Sequence, residues 1–168
     1  MTPRRLGAVI ALAVLVGDQG IKALVLRFAA GDVPTPFCAI LDLTLRWNTG
    51  ISFSLFAGNS PAGRALLLAF TLTAIVLLGW WLSRCRSFLV GAGLGAIIGG
   101  ALGNGADRVL YGAVVDYLDL HVMGAHFFVF NLADVAINVG VGLLILDAVF
   151  GTRSKSAGNR TVTPPGVQ

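Results

Sequence analysis

The chain has 168 residues, of which 56% are hydrophobic and 12% charged, with a mean hydropathy of +0.84; soluble domains carry about 25% charged residues, so an ordinary water-soluble globule is excluded. All 8 acidic residues are Asp, whereas a soluble helical protein spreads Glu over its exposed faces, so most helices here face something other than water. The length allows one domain and, at about 20 apolar residues per crossing, about four spans; the net charge of +4 points to nucleic acid only if the basic residues do not gather on one side of a membrane.

In chain order, apolar stretches at about 6–28, 62–82, 88–105 and 127–150 are each long enough to cross a bilayer as a helix. The first follows Arg4 and Arg5 as a secretory signal peptide would. It has no small-x-small cleavage site and runs on through Asp18 and Lys22, so a retained helix is expected. With four spans, Arg4, Arg5, Arg84, Arg86, Arg153, Lys155 and Arg160 fall on one side, which the positive-inside rule makes the cytoplasm, together with both termini. Trp80 and Trp81 stand where an aromatic belt belongs, just before the turn at 83–87. The basic excess is thus a topology signal, and no nucleic-acid partner is expected.

Segments 29–61 and 106–126 then fall on the outer side. In the first, Leu41, Leu43, Leu45 and Trp47 alternate with Asp42, Thr44 and Arg46, and Ile51, Phe53 and Leu55 alternate with Ser52 and Ser54. Asn48-Thr49-Gly50 supplies turn residues between them, predicting a small antiparallel hairpin between the first and second spans, its apolar face on the membrane surface. Cys38 and Cys85 lie on opposite faces and should not form a disulfide. The fold class expected is an all-α membrane protein, with a four-helix domain over 1–150 and a disordered cytoplasmic tail over 151–168, which is polar and contains Thr-Pro-Pro-Gly.

Ionisable groups inside or at the ends of membrane helices point to function by default. Asp18 and Lys22 are one helical turn apart near the outer end of the first span, spaced for an i,i+4 ion pair. Gly91, Gly95, Gly99 and Gly103 recur every fourth residue, a strip that lets another helix backbone approach; Asn104, Asp107 and Arg108 follow it. Asn131, Asp134 and Asn138 share one face of the fourth span, which must look into the bundle or a wet cavity. Asp134 is the foremost candidate, and Asp147 reads as a boundary residue. A second carboxylate beside Asp134 would make a pair that shares one proton and can activate water; Asp32, Asp42, Asp107, Asp116 and Asp119 all remain open as that partner. His121 and His126 stand apart from any HExxH or Cys cluster, so they read as surface residues and no metal is expected. Nor is there a Ser-x-x-Lys or Gly-x-Ser-x-Gly nucleophile pattern.

Four blocks, in order and in the right spans, resemble bacterial lipoprotein signal peptidase, also called signal peptidase II. They are Asp18-Gln19-Gly20-Ile21-Lys22; Asn48-Thr49-Gly50-Ile51-Ser52-Phe53-Ser54; the run from Gly99 through Gly103-Asn104-Gly105-Ala106-Asp107-Arg108 to Gly112-Ala113-Val114-Val115-Asp116-Tyr117; and Phe130-Asn131-Leu132-Ala133-Asp134. The resemblance implies an inner-membrane aspartic endopeptidase that cleaves diacylglyceryl-modified prolipoproteins just before the lipidated cysteine, without metal or organic cofactor. It implies a catalytic pair at Asp116 and Asp134, supported by Asp18, Lys22, Asn48, Gly50, Asn104, Arg108, Asn131 and Ala133. Membrane lipid and prolipoproteins are the implied partners, and a monomer is expected. Ile51, Ser52 and Gly105 depart from the family's usual residues but touch no catalytic position. The rival expectation is a small proton-coupled transporter or channel with Asp134, Asp18 and Lys22 as a relay; it is disfavoured because the cytoplasmic half holds few ionisable residues beyond Asp147.

Overall fold

The structure, a computed structural model, describes residues 1–28, 35–50 and 61–157. Helices α1 (Pro3–Phe28), α2 (Pro61–Leu82), α3 (Phe88–Leu110) and α4 (Leu132–Ala157) are joined by strands β1 (Thr35–Cys38), β2 (Leu41–Asn48), β3 (Val114–Val122) and β4 (Ala125–Phe130). All four helices contain segments long and apolar enough to cross a membrane. The strands form one antiparallel sheet in the order β1-β2-β3-β4, at the end of the bundle where α1 and α3 finish and α2 and α4 begin.

Helix α3 is the axis of the bundle, packed most extensively against α1 and α4. The glycine strip explains the first contact: a Cβ on Gly91 would run into the Pro3 backbone, on Gly95 into the Gly7 carbonyl, and on Gly99 into the Ala11 carbonyl. Parallel α1 therefore lies backbone to backbone on α3, as small residues permit between membrane helices. On the other flank, a Cβ on Gly100 would meet the Ala133 carbonyl at 2.5 Å and one on Gly93 the Gly140 carbonyl at 2.8 Å, seating antiparallel α4. Away from the sheet, the Ser87 hydroxyl caps α3 by accepting from Val90 N at 3.3 Å, and it is 2.6 Å from Asp147 Oδ1, which ties the far part of α4 to the start of α3. Asp147 thus has a structural partner at the boundary where the sequence places it.

Four expectations change. Strand β2 coincides with the predicted strand around 41–47, but its partners are β1 and β3; its expected partner around 51–55 lies outside the described residues. The sheet is therefore not confined to the connection between the first two helices: half of it comes from the connection between α3 and α4. Span four begins at Leu132 instead of 127, because Phe127, Phe128, Val129 and Phe130 belong to β4. Such an apolar run of aromatic and β-branched residues suits a strand as well as a membrane helix. Span three continues past 105 to Leu110, ending where Tyr111 N donates to the Asp107 carbonyl at 2.7 Å and Gly112 N to the Arg108 carbonyl at 3.2 Å, with Gly112 at φ 80, a left-handed C-terminal stop. Helix α4 also runs on to Ala157, beyond the composition break at Gly151; residues 158–168 of the predicted tail lie outside the described residues. Cys38 and Cys85 are both free, the first exposed and the second buried.

Candidate active site

The polar residues of the helices converge where the bundle meets the sheet. Lys22 is 2% exposed and its ammonium has three partners: Asp18 Oδ2 at 2.8 Å, Asp107 Oδ2 at 2.7 Å and Asn104 Oδ1 at 3.0 Å. Every proton of the ammonium is thereby used. The two carboxylates are themselves fully buried, and backbone and amide donors complete them. Ala133 N donates to Asp18 Oδ1 at 3.0 Å, Val115 N to Asp107 Oδ2 at 3.1 Å, and Gln19 Nε2 to Asp107 Oδ1 at 2.9 Å. The predicted i,i+4 pair exists, then, but as part of a cluster that fastens α1 to α3, to the first turn of α4 and to the start of β3. Gly103 belongs to it by being small, since a Cβ there would stand 2.5 Å from Asp18 Oδ2.

Asn104 carries this cluster to Asp134. Its Oδ1 accepts from Lys22 and, at 3.1 Å, from Asn131 Nδ2, while its own Nδ2 donates to Asp134 Oδ1 at 2.8 Å. Asn131 is the N-cap of α4: its Oδ1 accepts from Asp134 N at 3.0 Å, and Asp134 Oδ2 accepts from Asn131 N at 3.3 Å. This is a capping box with Asp in the place of Glu. It explains why α4 starts where it does and fixes the Asp134 carboxylate at the helix mouth. The same Asn131 amide donates to Asp116 Oδ1 at 2.6 Å. Asn131 therefore holds both carboxylates, Asp116 from β3 through its side-chain amide and Asp134 from α4 through its backbone N–H.

Asp116 is 2% exposed, and its other oxygen accepts from Asn48 Nδ2 at 2.9 Å. Asn48 is aimed by a local turn in which Gly50 N donates to Asn48 Oδ1 at 2.8 Å and Gly50 takes φ 85, a conformation that glycine adopts freely. Burial pushes the Asp116 carboxyl up to about 6; the charge of Asp134 adds to this, while the donors Asn48 and Asn131 oppose it. Tyr117, next on the strand, accepts from Leu132 N at 3.1 Å, and burial raises its phenol to about 12, so it stays a neutral anchor for the start of α4. Arg108 donates to the Asn104 carbonyl at 3.3 Å and feels the charges of Asp134, Asp107 and Asp116; its Nε is buried with no hydrogen-bond partner among the described residues.

Of the open candidates, Asp107 is committed to Lys22, Asp42 lies 3.1 Å from His121 Nε2, and Asp119 lies 2.8 Å from His126 Nδ1. Asp32 lies outside the described residues. Among the described residues, Asp116 is the carboxylate whose partner, Asn131, also bonds the Asp134 carboxylate, by its side chain to the first and its backbone N–H to the second. Asn138 does not join them: one turn further along α4, it is exposed and donates to the Asp134 carbonyl of its own helix at 2.9 Å. The histidines, distant from any sequence motif, are neighbours in space, with ring centroids 5.6 Å apart across the β3–β4 hairpin. Among the described residues no group of three or more His, Cys, Asp or Glu side chains is placed to hold a metal ion. Sequence reasoning gave no role to Gln19 or Tyr117; the positions of both within matched blocks were the available signal.

A family model described as Signal peptidase (SPase) II matches residues 10–150. The lipoprotein signal peptidase of Rhodopseudomonas palustris strain TIE-1 is 46% identical over 94% of this chain and 99% of its own length; that of Methylocella silvestris is 42% identical over 96% and 95%. A solved bacterial membrane enzyme superposes with a TM-score of 0.75 at 24% identity, covering 95% of this chain and 94% of that one. A second solved bacterial membrane enzyme gives a TM-score of 0.75 at 25% identity over 86% and 92%. The first of these structural likenesses speaks for the fold of four apolar helices with a small antiparallel sheet.

Proposed function

Because the chain belongs to the signal peptidase II family, we propose that it cleaves the signal peptide from diacylglyceryl-modified prolipoproteins, just before the lipidated cysteine, with Asp116 and Asp134 as a water-activating pair. The observation that carries the assignment is the Asn131 amide, bonded at 2.6 Å to Asp116 and closed in a capping box with Asp134. Two carboxylates so held titrate as a unit and share a proton. Burial favours that proton on Asp116. The ionised partner then takes a proton from water as it attacks the scissile carbonyl, while the protonated one donates to the carbonyl oxygen. Collapse of the tetrahedral intermediate breaks the C–N bond, and the carboxyl that gained the water's proton delivers it to the leaving amine. Arg108 and Asn104 hold the dyad or the substrate backbone in this reading, and the bond from Asn104 Nδ2 to Asp134 at 2.8 Å supports the first role for Asn104.

The chain is a multi-pass membrane protein. With the basic ends Arg4, Arg5, Arg84 and Arg86 in the cytoplasm, the sheet and the two carboxylates lie at the opposite membrane boundary, where a lipid-anchored substrate enters from the bilayer and water from outside. Both carboxylates and their supports come from one chain, so a monomer suffices. The test is cleavage of a diacylglyceryl-modified prolipoprotein by wild type, Asp116→Asn and Asp134→Asn, with folding checked by thermal unfolding. Each variant should lose at least about 10²–10⁴-fold in rate, the range for removing an acid–base group. A folded variant that cuts at the wild-type rate would refute its share in the pair.

A further inference from the structure

Strand β4 leads straight into Asn131 and Asp134, yet it is an edge: it pairs with β3, and no strand among the described residues pairs its other side. The opposite edge, β1, carries Pro36, which removes a donor and blunts pairing. β4 has no proline and presents Phe127 at 62% and Phe128 at 58% exposure, the kind of apolar edge that invites another strand. Beside it runs a groove of about 410 Å³ lined by Arg46, Asp119 and the β4 residues His126, Phe127, Phe128 and Val129. The groove starts next to the chemistry, since Arg46 is the cross-strand partner of Asp116, and Asp119 follows Asp116 by three residues along β3. Asp119 is 5% exposed, and its Oδ1 is buried with no hydrogen-bond partner among the described residues. A guanidinium, a carboxylate–imidazole pair and phenyl rings along one groove suit an extended polypeptide, whose backbone offers acceptors and donors in alternation.

Resting on the peptidase reading above, we propose that the free edge of β4 and this groove receive the stretch of mature lipoprotein that follows the cleaved bond, as an added strand. Main-chain pairing gives affinity without demanding one sequence, and the groove takes alternate side chains. At about 3.3 Å per residue, the six residues of β4 accommodate roughly 20 Å of chain, or about six residues beyond the cysteine.

Two lipopeptide substrates separate this from the dyad assignment: one ending directly after the diacylglyceryl-cysteine, and one continuing for about eight residues, a little past the reach of the edge. In Arg46→Ala, and separately in Phe128→Ser, KM for the long substrate should rise about tenfold with kcat unchanged, while both constants for the short substrate stay at wild-type values. Phe128 is exposed, so its replacement leaves folding intact even if Arg46 supports the sheet. A change shared by both substrates, one confined to kcat, or no change with the long substrate overturns the proposal. Asp116→Asn tests the other reading independently: it should be inactive on both substrates, and activity there would remove the dyad while leaving the groove data interpretable.

Discussion

Replacing Lys22 by Met tests whether the buried charges are held as described. Met keeps the length of the chain but withdraws the ammonium from Asp18, Asp107 and Asn104, which it reaches at 2.8, 2.7 and 3.0 Å. Both carboxylates have 0% exposure, so neither can turn to water, and breaking a buried pair by removing one partner costs about 3–5 kcal/mol. For a chain of 168 residues, at about 2–4 °C per kcal/mol, the midpoint of thermal unfolding should fall by about 6–20 °C. Cys85 is buried and reports unfolding through a thiol-reactive dye, measured in a Cys38→Ser background because Cys38 is exposed. The penalty comes from stranded negative charge, so Lys22→Met/Asp18→Asn/Asp107→Asn should regain more than half of the lost midpoint. A single variant that melts with its parent, or a triple variant no better than the single, would refute the reasoning.

The pH dependence follows from Asp116, whose carboxyl stands at about 6 against an ordinary 3.8. A folded-state value above the unfolded one means that its contribution to stability is complete below about 3.8 and is lost as pH rises through about 6. In the free enzyme the shared-proton form is lost over the same rise, so kcat/KM should fall as pH passes about 6. Asn48 opposes the shift by donating to the carboxylate, so Asn48→Ala should move that falling limb to higher pH; an unmoved limb counts against the assignment. Gly103→Ala should destabilise by about 1–3 kcal/mol through overpacking, its Cβ meeting Asp18 Oδ2 at 2.5 Å. Gly79→Ala, with nothing within 4 Å, should stabilise by about 0.5–1 kcal/mol; equal melting of the two would contradict the packing of α1 on α3. Asn131→Ala removes the α4 cap, worth about 0.5–2 kcal/mol, and should lower kcat beyond that loss, whereas Asn131→Ser should restore the cap and the melting midpoint without restoring kcat.

Much of the architecture is legible because lipid imposes hard rules on sequence. Apolar length marks the helices, Arg4, Arg5, Arg84 and Arg86 mark one end of the bundle, and the fourfold glycine period names the face of α3 that α1 covers. The β3–β4 hairpin was not legible, for a physical reason: its turn places Met123 at φ 51 and Gly124 at φ 81, and methionine gives no turn signal in the left-handed region. Phe127 to Phe130 then read as the beginning of a span because apolarity does not distinguish a strand from a helix over so few residues. Within the site, Asp18 with Lys22 and Asn131 with Asp134 could be paired by helical spacing alone. Asp116 could not be chosen over Asp107 or Asp119 by spacing, since its partnership with Asp134 depends on a strand from one connection meeting the cap of a later helix. Family resemblance supplied what periodicity lacked. Asn138 shows the opposite limit: its spacing puts it on the site face, but it lies one turn further along α4 and spends its amide on the Asp134 carbonyl of its own helix.

The i,i+4 geometry of Asp18 and Lys22 also bears on how the chain enters the bilayer. The two groups meet at 2.8 Å within a single helix, so α1 can be released into lipid with its central charges already neutralised, before α3 has been synthesised. Asp107 lies in the last turn of α3 and Asp134 in the first turn of α4, so both come to rest near helix ends and not in mid-membrane. No helix has to wait in hydrocarbon, bearing a bare charge, for a neighbour to arrive. Insertion can then follow chain order, with the contacts between Lys22, Asp107 and Asn104 closing only when α3 docks, and the peptidase site is completed by assembly after insertion.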